Sequence, residues 1–260
     1  MHSPLAIIHP EASIGMNVTI DPFAVIEKNV VIGDNSRIYP HTTILDGARI
    51  GADCQIYPGA VIAGIPQDLK FAGEESTAEI GHHTIIRECV TINRGTISKN
   101  KTVIGNNCLI MAYSHVAHDC ILKDNIIIGN ASQLAGEVNV DDYAIISGGA
   151  LVHQFVRISK HVMIQGGSRV GKDIPPYTLI GREPIAYCGI NIVGLRRRGF
   201  TNQQVYLIQD IYRTLYTRGL NNSAALKAIE TEYEPSVERE LILNFIKYSE
   251  RGIVRGSIDD

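Results

Sequence analysis

No stretch of this 260-residue sequence approaches the roughly 18 consecutive apolar residues of a membrane span, and the N-terminal MHSPLAIIHPEAS has no basic segment leading into an apolar core. Neither export nor a membrane span is expected, and a cytoplasmic location follows. Cysteine is sparse: five residues, an odd total, irregularly spaced and without a CxxC pair, which argues against a disulfide framework and fits a reducing compartment. Neither sign of charge dominates, since 24 Lys and Arg against 27 Asp and Glu leave a net charge of −3, so no global attraction to nucleic acid exists. A GxxxxGK(S/T) phosphate loop and a GxSxG nucleophile signature are both missing, which removes support from nucleoside-triphosphate and serine-nucleophile chemistry. What remains, 45% apolar and 20% charged residues, is the composition of a chain that folds.

A period of six organises most of that apolar content. Taking every sixth residue from Ile8 to Val170, all are Ile, Leu or Val except Asp68, Glu74 and Ser98. Four residues after each stands a small or β-branched residue, such as Ala12, Val18, Ala24, Cys54, Ala60, Cys108, Cys120, Ser132 or Ala150. An α-helix would smear such a period around its circumference, whereas short strands separated by turns keep it in register. One hexad cannot bury its own apolar residue, so the repeat predicts stacked coils of three hexads, with about 4.8 Å of rise per coil. Cys54, Cys108 and Cys120 are then small core residues with no reactive role.

The three failures fall in GIPQDLKFAGEESTAE (64–79) and around TISKNK (96–101), which read as loops projecting from a corner, with Asp68 and Lys70 pointing outward. The repeat stops near the two prolines at 175 and 176. Beyond Thr201 the apolar period becomes helical, predicting helices over 202–218, 223–233 and 235–250, the last opened by Pro235. The expected organisation is a parallel β-helix over 8 to about 175 within a domain 1–190, capped by a helical domain 191–260.

Residues separated by multiples of 18 lie above one another in such a stack, and this gathers His115, His118, Gly136, Glu137, His153 and Gln154 along one edge. His118, in HVAHDC, stands outside the apolar ladder with Asp119 beside it, and reads as an exposed pair at a turn. A neutral imidazole can take a hydroxyl proton at neutral pH while a neighbouring carboxylate orients it. On the residues alone, histidines that merely decorate a corner are an equal alternative. His9, His41, His82 and His83 receive no role.

The segments NVTIDPFAVI, QDLKFAG, ECVTINRGT, HVAHDC, VHQF, HVMIQGG and INIVGLRRRGF occur in this order, and with them nearly the whole chain resembles the UDP-N-acetylglucosamine acyltransferase family. The resemblance implies a mainly β, left-handed parallel β-helix of hexapeptide repeats with a C-terminal α-helical domain. It also implies an O-acyltransferase that moves a 3-hydroxyacyl chain from acyl carrier protein to the glucosamine 3-hydroxyl of UDP-N-acetylglucosamine, the first step of lipid A and hence lipopolysaccharide biosynthesis. The donor would be a 4'-phosphopantetheine thioester, with no metal and no separate cofactor, and the assembly a homotrimer with sites between subunits. By position, His118 resembles the general base, Asp119 its orienting carboxylate and Gly136 the oxyanion donor. Gln67, Asp68 and Lys70 resemble the loop that meets sugar nucleotide and donor, His115, His153 and Gln154 the cleft around sugar and acyl chain, and Asn191, Arg197 and Arg198 the nucleotide end. Gly166 matches the position that limits acyl length and implies a long chain.

Two departures stand out, because many family members carry His where this chain has Glu137 and Glu where it has Val193. Altered affinity with intact chemistry is the expectation. Arg157, Lys160, Arg213 and Arg218 are candidates for docking the acidic carrier protein, and the Lys70 loop and the His118 edge are candidates for coming from different subunits. Three other readings stay open: an acetyl-coenzyme A dependent O-acetyltransferase, a zinc hydratase using His115 and His118 as ligands, and a non-catalytic prism.

Overall fold

The computed structural model describes residues 1–256. Its strands, most of them two residues long, form three faces visited in rotation. The first face runs from Ile7–Ile8 to Arg169–Val170, the second from Ser13–Ile14 to Arg157–Ile158, and the third from Thr19–Ile20 to Met163–Ile164. All these pairings are parallel, and the third face is closed at its upper end by Thr178–Gly181 and the antiparallel strand Ala186–Ile190. Each two-residue strand turns its second residue inward. On the first face Ile26, Ile44, Ile62, Ile92, Val116 and Leu134 stack in register, none more than 1% exposed. The small residues of the repeat fill the remaining space: Cys54, Cys108 and Cys120 are buried, and burial pushes the Cys120 thiol up to about 12. The chain turns between faces through residues in the left-handed region, among them Asn17, Asn29, Asn35, Asn107 and Asn125, which tolerate it better than most non-glycine residues.

The two loops leave the coil between the first and second faces. Val61 pairs with Thr91, thirty residues on, and Ala78 with Thr102, twenty-four on, whereas Val103 pairs with Ile121 at the regular eighteen. The insertions are therefore twelve and six residues long. Both are multiples of six, which is why the apolar period runs through them unbroken and why Asp68, Glu74 and Ser98 fall on it without belonging to the core.

Helices follow the prism: α1 (Ile192–Arg197), α2 (Asn202–Thr217), α3 (Asn222–Glu232) and α4 (Val237–Lys247). The last three lie within a few residues of the spans expected from sequence. Thr201 caps α2 in a reciprocal pair with Gln204, and Ser236 caps α4, so Pro235 precedes the cap and is not in the first turn. The short α1 was not foreseen. It starts because the Asn191 side chain accepts from Gly194 N–H. The apolar faces of α2 and α4 form a second core around the buried Tyr212, whose hydroxyl donates to the Pro176 carbonyl at 2.6 Å. Among the described residues, no helix is long and apolar enough to cross a membrane.

Candidate active site

His118 and Asp119 occupy the corner between the first and second faces, where the strand His115–Val116 gives way to Ile121–Leu122. Both inserted loops leave from this same corner, one and two coils below, and Gly136–Glu137 and Gln154–Phe155 stand one and two coils above it. The expectation of an exposed pair at a turn is wrong. His118 is 8% exposed and Asp119 fully buried, because parts of both loops cover the corner, while Leu69 and Lys70 of the longer loop project as expected. Asp68, expected to point outward, brings Oδ2 to 3.9 Å from His118 Nε2 within the same chain. The loop and the histidine edge therefore meet without a second subunit.

The carboxylate of Asp119 is held from three sides. His118 Nδ1–H donates to Oδ2 at 2.8 Å, the Thr96 hydroxyl donates to the same oxygen at 2.7 Å, and the N–H groups of Thr96 and Lys99 donate to Oδ1 at 3.0 and 3.1 Å. Burial raises its pKa, but these donors outweigh the burial and hold it below the usual carboxylate value. An ionised Asp119 can only accept, so it fixes the imidazole as the Nδ1–H tautomer and leaves Nε2 as a base. His115, one strand earlier, is lowered by burial and shares a 2.7 Å hydrogen bond with the Thr91 hydroxyl.

Gly136 lies over the ring. A Cβ there would come within 2.5 Å of His118 Cε1 and 2.6 Å of Nε2, so a side chain at 136 and the observed imidazole position exclude one another. Among the described residues no acceptor takes the Gly136 N–H. Glu137 next to it, expected to depart from the family pattern, pairs with Lys99 Nζ at 3.0 Å and accepts from the Ser98 hydroxyl. The other departure, Val193, is exposed on α1.

Two hollows meet at His118. One is a cleft of about 620 Å³ running up the first face past Gln67, His115, Leu134, Leu151 and His153 to Arg169, largely apolar. The other, about 230 Å³, is lined by Asp68, Lys70, Ser98, Glu137 and Gln154.

The remaining candidates lie elsewhere. Gly166 is at the corner between the third and first faces, across the first face from His118. Asn191, Arg197 and Arg198 belong to the top of the corner between the second and third faces. The Asn191 amide is spent on capping α1 and on the His161 carbonyl at 2.9 Å, while Arg198 lies over the Tyr143 ring and donates to the Tyr143 carbonyl. The four docking candidates are all engaged within the chain: Arg157 with the Tyr248 carbonyl, Lys160 with Asp142, Arg213 with Asp210 and Arg218 with Glu232. Sequence reasoning missed Thr96 and Lys99, which reach Asp119 only through a loop closure that no periodicity announces.

Residues 11–46, 29–64 and 101–136 match the family model of the bacterial transferase hexapeptide, and residues 173–254 that of UDP N-acetylglucosamine O-acyltransferase, domain 2. The acyl-(acyl-carrier-protein)–UDP-N-acetylglucosamine O-acyltransferase of Chlorobium phaeobacteroides is 54% identical over 95% of this chain and 94% of its own length. The chain belongs to the UDP-N-acetylglucosamine acyltransferase family. Among solved UDP-N-acetylglucosamine acyltransferases, that of Bacteroides fragilis is 58% identical and superposes with a TM-score of 0.97 over 98% of this chain and 100% of its own. The one from Acinetobacter baumannii reaches 0.94 at 37% identity, over 98% and 99%. Membership of this acyltransferase family carries the fold with it: a left-handed parallel β-helix of hexapeptide repeats followed by a helical domain.

Proposed function

We propose that this chain transfers a long (R)-3-hydroxyacyl group from the phosphopantetheine thioester of acyl carrier protein to the glucosamine 3-hydroxyl of UDP-N-acetylglucosamine, opening lipid A biosynthesis in the cytoplasm. The observation that carries this reading is the seat of His118, buried where an apolar cleft meets a polar hollow, with Nδ1 committed to Asp119. The acyl chain fits the cleft and the sugar the hollow, among Asp68, Lys70 and Gln154. His118 Nε2 takes the proton of the 3-hydroxyl as its oxygen attacks the thioester carbonyl. The Gly136 N–H then stabilises the oxyanion, and collapse expels the thiolate, to which the imidazolium returns the proton.

A homotrimer with shared sites accounts for two further features. The outward positions of the third face carry Ile85, Leu109, Ile127, Ile145, Met163 and Leu179 in successive register, an apolar stripe that another copy would cover. His118 and Arg198 also sit at different corners, so a substrate touching both reaches across two copies. Gly166 lies at the far margin of the first face, where a Cβ would stand 3.0 Å from the Gly148 carbonyl oxygen, and in this reading it sets the room for the acyl end.

The test is transfer of labelled acyl groups to UDP-N-acetylglucosamine from carrier-protein thioesters of graded length, with acetyl-coenzyme A in parallel. Product from long 3-hydroxyacyl thioesters is expected, together with a loss of roughly 100- to 10,000-fold in turnover for His118→Ala and no change in fold. Transfer from acetyl-coenzyme A alone, or full activity of His118→Ala, would overturn the reading.

A further inference from the structure

Lys99 belongs to the inserted loop one coil below His118, and Glu137 to the coil above. Their side chains meet across the corner at 3.0 Å, Lys99 30% and Glu137 14% exposed. Lys99 Nζ also donates to the Asp119 backbone carbonyl at 2.9 Å, and its own N–H to the Asp119 carboxylate at 3.1 Å. Glu137 N–H donates to the His118 carbonyl at 3.0 Å, while its carboxylate takes the Ser98 hydroxyl. Both peptide carbonyls of the His118–Asp119 step are thus gripped, one by each member of a single ion pair. Asp119 and Glu137 both take the positive φ, 60° and 64°, that recurs at the corners of the prism.

We propose that the Lys99–Glu137 pair is a positioning and charge-balancing device for the His118 base, an inference that rests on the acyltransferase reading of this site. The geometry makes it more than a brace. The groups facing His118 are Asp119 on its own turn, His115 on the preceding strand, Asp68, Lys70 and Glu74 on the longer loop, Lys99 on the shorter loop, Glu137 on the coil above and His153 one coil higher. Four carboxylates stand against two lysines in this set. Of the two lysines, Lys99 opposes the carboxylates from beneath, and Glu137 holds it there while partly cancelling its charge. The buried side of the Glu137 carboxylate needs partners, and Ser98 and Lys99 supply them.

The experiment measures kcat/KM against pH for Lys99→Met, Glu137→Gln and the double variant, beside Lys99→Arg and His118→Ala. Losing the cation favours the imidazolium, so the acidic limb for Lys99→Met moves to higher pH. Losing the carboxylate disfavours it, so the limb for Glu137→Gln moves to lower pH, each by about 0.5 to 1 pH unit. The double variant and Lys99→Arg return close to the parent, and melting temperatures establish that each variant is folded. Limbs that stay in place in both single variants, or move the same way, would overturn the proposal even if activity falls, since a purely structural brace predicts loss without opposed shifts. Failure of the base assignment is separately visible as retained activity of His118→Ala.

Discussion

His161 stands between the rings of Tyr143 and Tyr177, with centroids 5.1 and 5.7 Å away, and meets Phe200 edge-on at 5.1 Å. Its Nδ1 is buried and has no hydrogen-bond partner among the described residues. Burial first, then the cations of Arg198 and Lys160, push its pKa down to about 4, against a weaker opposing pull from Asp142. The unfolded chain therefore binds a proton that the folded chain refuses between the ordinary histidine value near 6.5 and about 4, so stability is full above this window and falls as pH drops through it. His161→Phe keeps the stack in a corner conformation that Phe23 and Phe155 already adopt, and removes the proton. Its urea midpoint is expected to be less dependent on pH between 6.5 and 4 than that of the parent; parallel slopes would show that His161 is not the titrating group. The same scale explains the choice of base. His118 has one nitrogen committed to a buried carboxylate and lines two hollows, whereas His161 sits in an aromatic stack at another corner and His115 is engaged by Thr91.

The inserted loops turn a regular prism into a site. Glu74 joins them: its carboxylate accepts from Ala72 N–H within its own loop at 2.8 Å and from Ile97 N–H of the other at 2.9 Å. Its own backbone N–H first, and then these two bonds, hold its pKa below the usual carboxylate value. Glu74→Ala should release the longer loop from the shorter one and let Asp68 and Lys70 drift from His118. A fall of roughly tenfold in kcat/KM is expected, the scale of a small misplacement, with little change in melting temperature and faster proteolytic cutting within 65–76. An unchanged kcat/KM would mean that the loop is held by other contacts. On the opposite corner a ladder of side chains caps backbone N–H groups coil by coil: Ala52 to His82, His82 to Asn106, Asn106 to Asp124 and Asp124 to Asp142, at 2.7 to 3.1 Å. His82 is one rung of it, which gives a structural role to a residue that read from sequence as an ordinary turn position.

At the scale of the whole molecule, the division of candidate residues between two corners carries a consequence. His118 lies between the first and second faces and Arg198 between the second and third, so neither a bend nor a side-chain rotation within one chain unites them. If sites span copies, His118→Ala and Arg198→Ala chains should each be impaired alone and should regain activity when co-expressed, with about a quarter of the sites in randomly mixed trimers receiving both intact residues. Activity of the mixture that merely averages the two variants would place both residues of each site in one chain. The apolar stripe on the third face supplies the seam for such an assembly, since a half-exposed apolar ladder of this length is otherwise a liability.

Much of this was legible in the order of residues, for a specific reason. A period of six can be satisfied only by short strands in stacked coils, so the inward ladder from Ile8 to Val170, the buried cysteines and the edge shared by His118, Gly136 and Gln154 follow from counting. The helices α2, α3 and α4 announce themselves by apolar spacing and capping residues, while six-residue α1 is too short to show a period. The loops carry no period at all. That they fold back over their own corner, bury His118 and Asp119, and recruit Thr96, Lys99 and Glu137 was decided by hydrogen bonds between residues 20 to 39 positions apart, such as Lys99 to Asp119 and Ser98 to Glu137. Repetition fixes what each coil does alike; contacts made once, between segments that break the repeat, exist only when the coils are stacked.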